Sequence, residues 1–253
     1  MASLLCIILR LASFFGDFNY IPNHLTRGCT IGYTHYFYRQ KEVSFPIFQK
    51  IVNDFRKILP VLSKHISLAG SDGTGSPIIT YDEILFNGSS NCGHPANEEI
   101  TIPWPTDNAG GIADPFEQAQ TGQWWAGALV EKRVCNGNCS YESFHFPRIF
   151  EGRDPIGKIC YCNQDGPVYN EKNRVGKYFD FCKTAFRPYD WAVISCLTII
   201  KHYLKTKVVV ASDGTDNQWF DGKFLCQTEL GYGLEYEIQE GELNPKTKKE
   251  VKI

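Results

Sequence analysis

Three side chains of this sequence combine the residue types and positions that acid–base chemistry uses. Asp72 and Asp213 each follow a short apolar run and stand in the same turn sequence, Ser-Asp-Gly-Thr. His35 lies between hydroxyl-bearing residues, and histidine titrates near neutral pH. If the fold brings these groups together, they are candidate catalytic residues, and the two carboxylates could also bind a divalent cation. The alternatives are turn-forming aspartates and a hydrogen-bonded strand histidine.

A second candidate site precedes the most apolar segment of the chain. Its side chains carry a positive charge or a hydroxyl group: Lys183, Thr184, Arg187 and Tyr189. A helix that begins here would present free backbone N–H groups and a partial positive charge. Lys183, with a point charge, and Arg187, with the parallel N–H donors of its planar guanidinium, could then hold a phosphate or a carboxylate. The alternative is a surface loop in which Asp190 offsets the helix dipole.

The ten cysteines are spread along the chain, which favours reduced thiols with a metal cluster over a disulfide framework. Two close pairs make a candidate set of metal ligands: Cys135, Cys139, Cys160 and Cys162. Four thiolates would close a tetrahedral zinc site, although neither pair has the usual spacing of two intervening residues. His145, or the pair Cys92 and His94, could replace one of these ligands. Free thiols or an oxidised pair are the alternatives.

The composition sets limits on the class of protein. The chain has 253 residues, of which 43% are hydrophobic, and this is enough for a sizeable core. The net charge of −2 gives no reason to expect bulk nucleic acid or a membrane surface as a partner. The sequence has no phosphate-binding P-loop, dinucleotide-binding glycine motif, zinc-protease motif or hydrolase nucleophile elbow. The remaining cofactor expectations are a structural zinc or a divalent cation.

The chain is predicted to fold as one domain with an extension before it. Residues 1–30 form the extension, and its apolar run at 4–15 has the length of a signal-peptide core. The basic leader of a signal peptide is missing, so we expect a cytoplasmic protein, with secretion as the alternative. The single domain covers residues 31–243. Three irregular segments interrupt or follow it: an insertion at 103–134, a loop at 151–176 and a lysine-rich tail at 244–253.

Two helices follow from the spacing of apolar residues. From Phe45 these residues recur at intervals of three and four, which predicts an amphipathic helix that covers a sheet. The segment 188–205 is apolar on most sides, which predicts a buried helix. Each helix leads through a short apolar run into Ser-Asp-Gly-Thr, at Ser71 and at Ser212. We therefore predict an α+β fold with a mixed sheet, helices mainly on one face and two pseudo-repeated helix–strand–turn halves. A doubly wound parallel sheet is the alternative.

Four segments of the chain together resemble one family of proteins. They are Gly32-Tyr33-Thr34-His35-Tyr36, Phe86-Asn87-Gly88, the segment from Phe181 to Asp190, and Ser212-Asp213-Gly214. Over these segments the chain is similar to an uncharacterised family of phages and diverse microbes, whose members open with Met-Gly-Tyr-Thr-His-Tyr. The resemblance implies no activity. It implies that residues 1–30 precede the usual start, that Phe186 stands where a basic residue is common, and that the cysteines of 135–162 lie in a variable region.

Taken together, these features predict a cleft between two halves that binds a small anionic ligand such as a nucleotide or a phosphosugar. Lys183 and Arg187 would hold the anion. His35, Asp72 or Asp213 would supply acid–base or metal chemistry, which would make the protein a hydrolase or a transferase. The alternative is a non-catalytic interaction factor of phage-like origin that binds an unidentified protein through the insertion 103–134. Three tryptophans would be its anchors: Trp104, Trp124 and Trp125.

Overall fold

The computed structural model describes residues 33–94, 96–100, 124–125, 128–129, 133–151 and 173–246. The predicted extension, most of the insertion, most of the loop at 151–176 and the end of the tail therefore lie outside the described residues. Within the part of the chain that is described, no helix has both the length and the apolar character needed to cross a lipid bilayer.

The amphipathic segment predicted from Phe45 is helix α1, Phe45–Leu62. Pro46 lies in its first turn, where a proline removes no helical hydrogen bond. The buried side chains of the helix recur at the predicted spacing: Phe48, Ile51, Val52, Asp54, Phe55, Ile58 and Leu62. Phe55 stacks on Phe86, with ring centroids 5.3 Å apart. The apolar face of the helix therefore packs against the strand that carries Phe86.

The strands pair antiparallel wherever the structure describes a pair. In chain order they are β1 (Thr34–Arg39), β2 (Leu68–Ala69), β3 (Ile78–Ile79), β4 (Glu83–Gly88), β5 (Ala96–Ile100), β6 (Trp124–Trp125), β7 (Ala128–Leu129), β8 (Arg133–Asn136), β9 (Phe144–Pro147), β10 (Tyr178–Lys183), β11 (Val208–Ser212), β12 (Tyr236–Gln239) and β13 (Glu242–Pro245). The larger sheet has the order β10-β1-β11-β13-β12. In a second sheet β4 pairs with β2, β3 and β9, and two ribbons join β5 to β8 and β6 to β7.

The second predicted helix is α2, Asp190–Leu204, and a single 3₁₀ turn, Lys205–Lys207, follows it. Nearly every residue of α2 is buried, as the apolar composition of this segment predicts. The helix contacts α1, β11 and a third helix, α3 (Phe220–Leu230). It therefore lies at the centre of the hydrophobic core, and the other elements pack around it.

The predicted α+β class is confirmed, and the antiparallel pairing of the described strands excludes the doubly wound parallel alternative. The predicted pseudo-repeat is not confirmed. Both halves have the order helix, strand and Ser-Asp-Gly-Thr turn, but β2 joins the smaller sheet, whereas β11 is a central strand of the larger one. Gly73 has a φ angle of +79°, whereas Gly214 has no positive φ angle. The shared sequence therefore occurs in two turns that differ in backbone conformation and in surroundings.

Helices α2 and α3 approach each other closely at Gly222. A Cβ atom added there would lie 2.8 Å from Ile194 Cδ1 and closer still to Ile194 Cγ1. Helix propensity alone favours alanine over glycine by about 1 kcal/mol. An extra methyl group in a filled core, in contrast, costs about 1–3 kcal/mol. The close contact between the helices therefore explains why a glycine stands inside α3.

We expect Gly222→Ala to lower the free energy of unfolding by up to about 2 kcal/mol, after the gain in propensity is subtracted from the packing cost. Urea denaturation measures this change. An Ile194→Ala background removes the two nearest contacting atoms and leaves the backbone nitrogen of Ser195 at 3.1 Å, so the same substitution should cost less there than in the wild-type protein. If Gly222→Ala stabilises the wild-type protein, the two helices do not pack as closely as described.

Candidate metal centre and the buried polar network beside it

Four metal-ligating side chains meet beside the end of β4. Two belong to the loop after β4, and two belong to β8 and the turn after it: Cys92, His94, Cys135 and Cys139. Cys135 Sγ lies 3.4 Å from Cys92 Sγ and 3.2 Å from Cys139 Sγ. The Nδ1 atom of His94 lies 3.4 Å from Cys139 Sγ. All four ligand atoms lie within 4.8 Å of one another, and we call this set the cysteine–histidine cluster.

The dimensions of the cluster suit a tetrahedral metal ion. Zinc–sulfur bonds of about 2.3 Å place the sulfur atoms of a tetrahedral site about 3.8 Å apart. The separations between the sulfur atoms here are slightly shorter, so a small outward shift of the side chains would admit an ion. Cys135 and Cys139 are buried, whereas Cys92 and His94 are half-buried, which leaves an approach from the surface. The cluster could therefore hold a metal ion.

The turn that carries Cys139 is fixed to the body of the protein by backbone contacts. The Cys139 N–H donates to the carbonyl of Ser89 at 3.0 Å. A Cβ atom added to Gly88 would lie 2.7 Å from the carbonyl carbon of Cys139, so only glycine allows this approach. The Arg187 guanidinium donates to the carbonyl of Asn138. These contacts place Cys139 beside the segment that leads from β4 to the other half of the cluster.

Two further contacts hold the same region. The Asn87 side chain, at the end of β4, donates to the carbonyl of Tyr141 and accepts from the N–H of Tyr141, both at 3.0 Å. The Ser90 N–H donates to the carbonyl of Gly73 at 2.8 Å. The first Ser-Asp-Gly-Thr turn therefore supports the backbone that leads into Cys92.

The three thiols of the cluster differ in acidity. Burial raises the pKa of Cys92, but hydrogen bonds from the backbone N–H of His94 and from the neighbouring thiols outweigh it and lower the pKa to about 7. Burial raises the pKa of both Cys135 and Cys139 above the usual value of a thiol. Cys92 is therefore the thiolate that a metal ion or an oxidant would meet first at neutral pH.

Strand β8 also carries an arginine, Arg133, whose side chain lies in the core. Arg133 and Cys135 stand two positions apart in β8, so their side chains leave the same face of the strand, and both are buried. The Arg133 guanidinium bonds to Asp190 Oδ2 at 3.2 Å and to both carboxylate oxygens of Asp221. Asp190 lies in the first turn of α2 and Asp221 in the first turn of α3. One side chain of β8 therefore joins the starts of two helices.

The second oxygen of Asp190 has two partners of its own. His35 Nε2 and the Thr184 hydroxyl each lie 2.6 Å from Asp190 Oδ1. Burial raises the pKa of Asp190, but its three partners outweigh this effect and lower the pKa. Burial dominates at Asp221 and raises the pKa of that carboxyl, although Arg133 opposes the effect. The two carboxyl groups that share one guanidinium therefore have pKa values moved in opposite directions.

Ser212, the last residue of β11, completes this buried polar network. Its Oγ accepts hydrogen bonds from the N–H of Gly214 at 2.9 Å and from the indole N–H of Trp219 at 3.0 Å. Because both lone pairs are used, the Ser212 hydroxyl donates its own proton to His35 Nδ1, 3.0 Å away. His35 therefore carries its proton on Nε2 and donates it to Asp190.

The series Ser212, His35 and Asp190 has the connectivity of a hydrolase triad but not its exposure. His35 and Asp190 are fully buried, and Ser212 is only 8% exposed. The Ser212 oxygen already accepts two hydrogen bonds, so it is not presented to a substrate as a nucleophile. The geometry therefore suits a network that holds structural elements together.

The ring of Phe186 covers the network. The guanidinium carbon of Arg133 lies 4.9 Å from the centroid of this ring, and the Tyr33 ring packs edge-on against it at 4.8 Å. Ala185 and Phe186 have φ angles of +51° and +54°. Left-handed backbone costs a residue other than glycine roughly 1–2 kcal/mol. The turn keeps this strain because it places an aromatic ring over the buried guanidinium.

The three side chains predicted to be catalytic lie in separate places. His35 belongs to the buried network. Asp213 is exposed after β11, where the Tyr36 hydroxyl lies 3.2 Å from each of its carboxylate oxygens. Asp72 is exposed after β2, and its Oδ1 accepts from the N–H and the hydroxyl of Thr74 at 3.1 and 2.8 Å. Among the described residues, no hydrogen bond joins these three side chains.

The residues predicted to hold an anion make contacts within the protein. Thr184 belongs to the buried network, and the buried Tyr189 hydroxyl donates to the carbonyl of Glu142 at 2.6 Å. Arg187 is half-buried and donates to a backbone carbonyl in the turn between β8 and β9. Lys183 is half-buried at the end of β10. At the start of α2, where the anion was expected, the first N–H groups of the helix donate to the preceding backbone carbonyls, and the carboxylate of Asp190 lies in the same turn.

The predicted metal ligands are found in part. Two of them lie in the cluster and two lie outside the described residues: Cys135 and Cys139, and Cys160 and Cys162. The alternative pair, Cys92 and His94, supplies the other two positions of the cluster. His145, the other alternative ligand, lies 3.0 Å from a carboxylate oxygen of Glu83 instead.

Two charged members of the buried network, Arg133 and Asp221, are not predicted from the sequence. Arg133 stands two positions before a predicted metal ligand, and this spacing is the one signal that points its side chain towards the body of the protein. Asp221 carries no such signal, because an acidic residue in the first turn of a helix is common on exposed helices too.

Three of the segments that carry the family resemblance meet around His35. They contribute the histidine itself, the pair Thr184 and Asp190, and Ser212. Comparison of the chain with protein-family models, with curated proteins and with solved structures gives no match, so the resemblance to the phage and microbial family is not supported. The function of the site is therefore inferred from its own geometry.

We expect the two aspartates of the network to affect stability with opposite dependence on pH. The folded-state pKa of Asp190 is lowered, so its contribution is present above its unfolded pKa of about 3.9 and is lost as the pH falls below that value. The folded-state pKa of Asp221 is raised. Its ionisation therefore opposes folding above about pH 3.9, and this cost disappears as the pH falls.

Urea unfolding of Asp190→Asn and Asp221→Asn between about pH 7 and about pH 3 checks this expectation. The destabilisation caused by Asp190→Asn should shrink as the pH falls, and that caused by Asp221→Asn should grow. The wild-type protein and both variants are compared in excess chelator, so that release of a metal by acid does not contribute to the profiles. Parallel pH profiles would contradict the opposite pKa shifts.

Proposed function

We propose that the protein binds one Zn²⁺ through the cysteine–histidine cluster and uses it as a structural metal site. The observation that carries the proposal is the convergence of four ligand atoms within 4.8 Å of one another. They come from two parts of the chain, the loop after β4 and the end of β8, which the insertion separates in sequence.

The kind of ligand favours zinc over other common ions. Three thiols and one imidazole are soft or borderline donors, whereas magnesium and calcium prefer oxygen ligands. Zinc accepts tetrahedral geometry without a preference from its d electrons. Four protein ligands would leave no open position for water or substrate, and this is the arrangement of structural zinc sites.

The proposed ion joins segments that are distant in sequence. Cys92 and His94 come before the insertion, and Cys135 and Cys139 come after it, so the ion would close the base of the insertion. Strand β8 would be tied to the end of β4 in this way. The free energy of zinc binding adds to that of folding, because the unfolded chain has no preformed site.

Binding of a small anion at Lys183 and Arg187 remains a prediction with less support than the metal site. A pocket of about 350 Å³ on the described surface is lined by several acidic groups: Asp82, Glu83, Glu151 and Asp180. Such a lining favours a cation over an anion. Hydrolase or transferase activity and protein binding through the tryptophans of the insertion likewise remain predictions.

Metal analysis of the purified protein tests the zinc proposal. We expect one zinc ion per chain in the wild-type protein and little or none in Cys92→Ser and Cys139→Ser, because three ligands do not close the site. A chelator should lower the melting temperature of the wild-type protein but not of these variants, since ligand removal destabilises only the form that binds it.

Cys196→Ala is the matched control for these variants. Cys196 is fully buried in α2, and burial raises its pKa well above the usual value of a thiol, so it is an inert thiol outside the cluster. This variant should keep its full zinc content. A wild-type protein without zinc, or one in which mass spectrometry finds a disulfide between cluster cysteines, would contradict the metal site and indicate a redox pair.

A further inference from the structure

Strand β8 is attached to the body of the protein by two groups of side-chain contacts. Cys135 points into the cysteine–histidine cluster, and Arg133 points into the buried polar network. Among the described strands, β8 pairs only with β5, in a two-stranded ribbon. No larger described sheet therefore fixes its position. Besides the backbone contacts that hold the turn at Cys139, these two side chains provide the described contacts of β8 itself with the body of the protein.

The two attachments cannot move independently. Arg133 and Cys135 leave the same face of one strand two positions apart, which is a separation of roughly 7 Å along β8. A shift of the strand that opens the cluster therefore also withdraws the guanidinium from its partners. Without Arg133, the carboxylate of Asp221 keeps only its hydrogen bond from the N–H of Gly222, at 2.7 Å, among the described contacts.

We infer that metal binding at the cluster is coupled to the insertion of Arg133 between Asp190 and Asp221. The bound metal fixes β8 and so places the arginine, and the paired arginine in turn strengthens metal binding. The inference rests on the proposed zinc site and adds to it a reciprocal link with a second, buried site. Such links are reciprocal because both sites act on the same equilibrium, here the docking of β8.

The zinc affinity of Asp221→Asn is the sharpest test of this coupling. Asp221 lies in α3 and, among the described contacts, reaches β8 through Arg133 alone. Its substitution therefore weakens the attachment of β8 without touching a cluster residue. Competition with a chromophoric zinc chelator should show a dissociation constant for Zn²⁺ raised about 5- to 150-fold, the usual range for coupled sites.

Asp54→Asn is the matched control. Asp54 is also a buried aspartate, but it lies in α1 and accepts hydrogen bonds from the hydroxyl groups of Tyr203 and Tyr232, at 2.5 and 2.9 Å. The substitution Asp54→Asn removes a buried carboxylate, as Asp221→Asn does, but at a place with no described contact to β8. Its zinc affinity should equal that of the wild-type protein, so a loss shared by both variants would reflect general destabilisation and overturn the coupling.

Hydrogen exchange provides a second readout, which does not depend on any substitution. Removal of zinc from the wild-type protein by a chelator should speed amide exchange in β8 and also in the first turns of α2 and α3. Exchange in the middle of α1 should not change. If exchange rises only in the loops of the cluster, the metal does not place Arg133 and the inference is wrong.

Arg133→Met completes the set, because it removes the guanidinium and keeps an apolar stem of similar length. It should weaken zinc binding at least as much as Asp221→Asn. If both variants bind one zinc ion with wild-type affinity, the coupling fails while the zinc site stands. If the wild-type protein binds no zinc, the proposed function fails, and the coupling fails with it.

Discussion

The described structure depends on the burial of two carboxylates at the starts of α2 and α3. Burial of an ionised carboxylate costs several kcal/mol unless opposite charge and hydrogen bonds compensate for the lost water. Arg133 supplies one positive charge, and each helix N-terminus adds about half a charge. Arg133 contacts both Asp190 and Asp221, and the compensation outweighs the cost of burial at Asp190 but only reduces it at Asp221. This partial balance of charge joins the first turns of the two helices to β8.

The same balance explains why the start of α2 is not an open ligand site. A helix N-terminus beside cationic residues attracts an anion, so the sequence correctly predicts a negative charge at this place. The anion found there is Asp190, which the chain itself supplies. His35 in β1, Arg133 in β8 and Thr184 after β10 bond this carboxylate, so three parts of the fold hold it at once. An external anion would have to replace all of these contacts.

The features that depend on near neighbours in sequence could be predicted, and those that depend on distant contacts could not. The helix from Phe45 follows from periodicity, and Cys135 with Cys139 follows from spacing. That Cys92, and not a cysteine after residue 151, belongs to the cysteine–histidine cluster depends on which loops lie close together in the fold. The contact of Arg133 with Asp221 joins residues 88 positions apart, and no local pattern marks it. The Ser-Asp-Gly-Thr sequence occurs twice, but strand pairing depends on distant contacts and differs between the two copies.

The two attachments of β8 complement each other physically. A buried ion pair stabilises a structure only when its members are placed accurately, because a small displacement leaves charges desolvated but unpaired. A strand in a two-stranded ribbon does not provide this accuracy by itself. Metal–ligand bonds have narrow limits of length and angle. A metal ligand two positions from Arg133 would therefore place the arginine accurately. An arginine on β1, held between two strands of the larger sheet, would need no such help. The proposed metal site would therefore give a structural reason for the position of Cys135, two residues from Arg133 on the same face of β8.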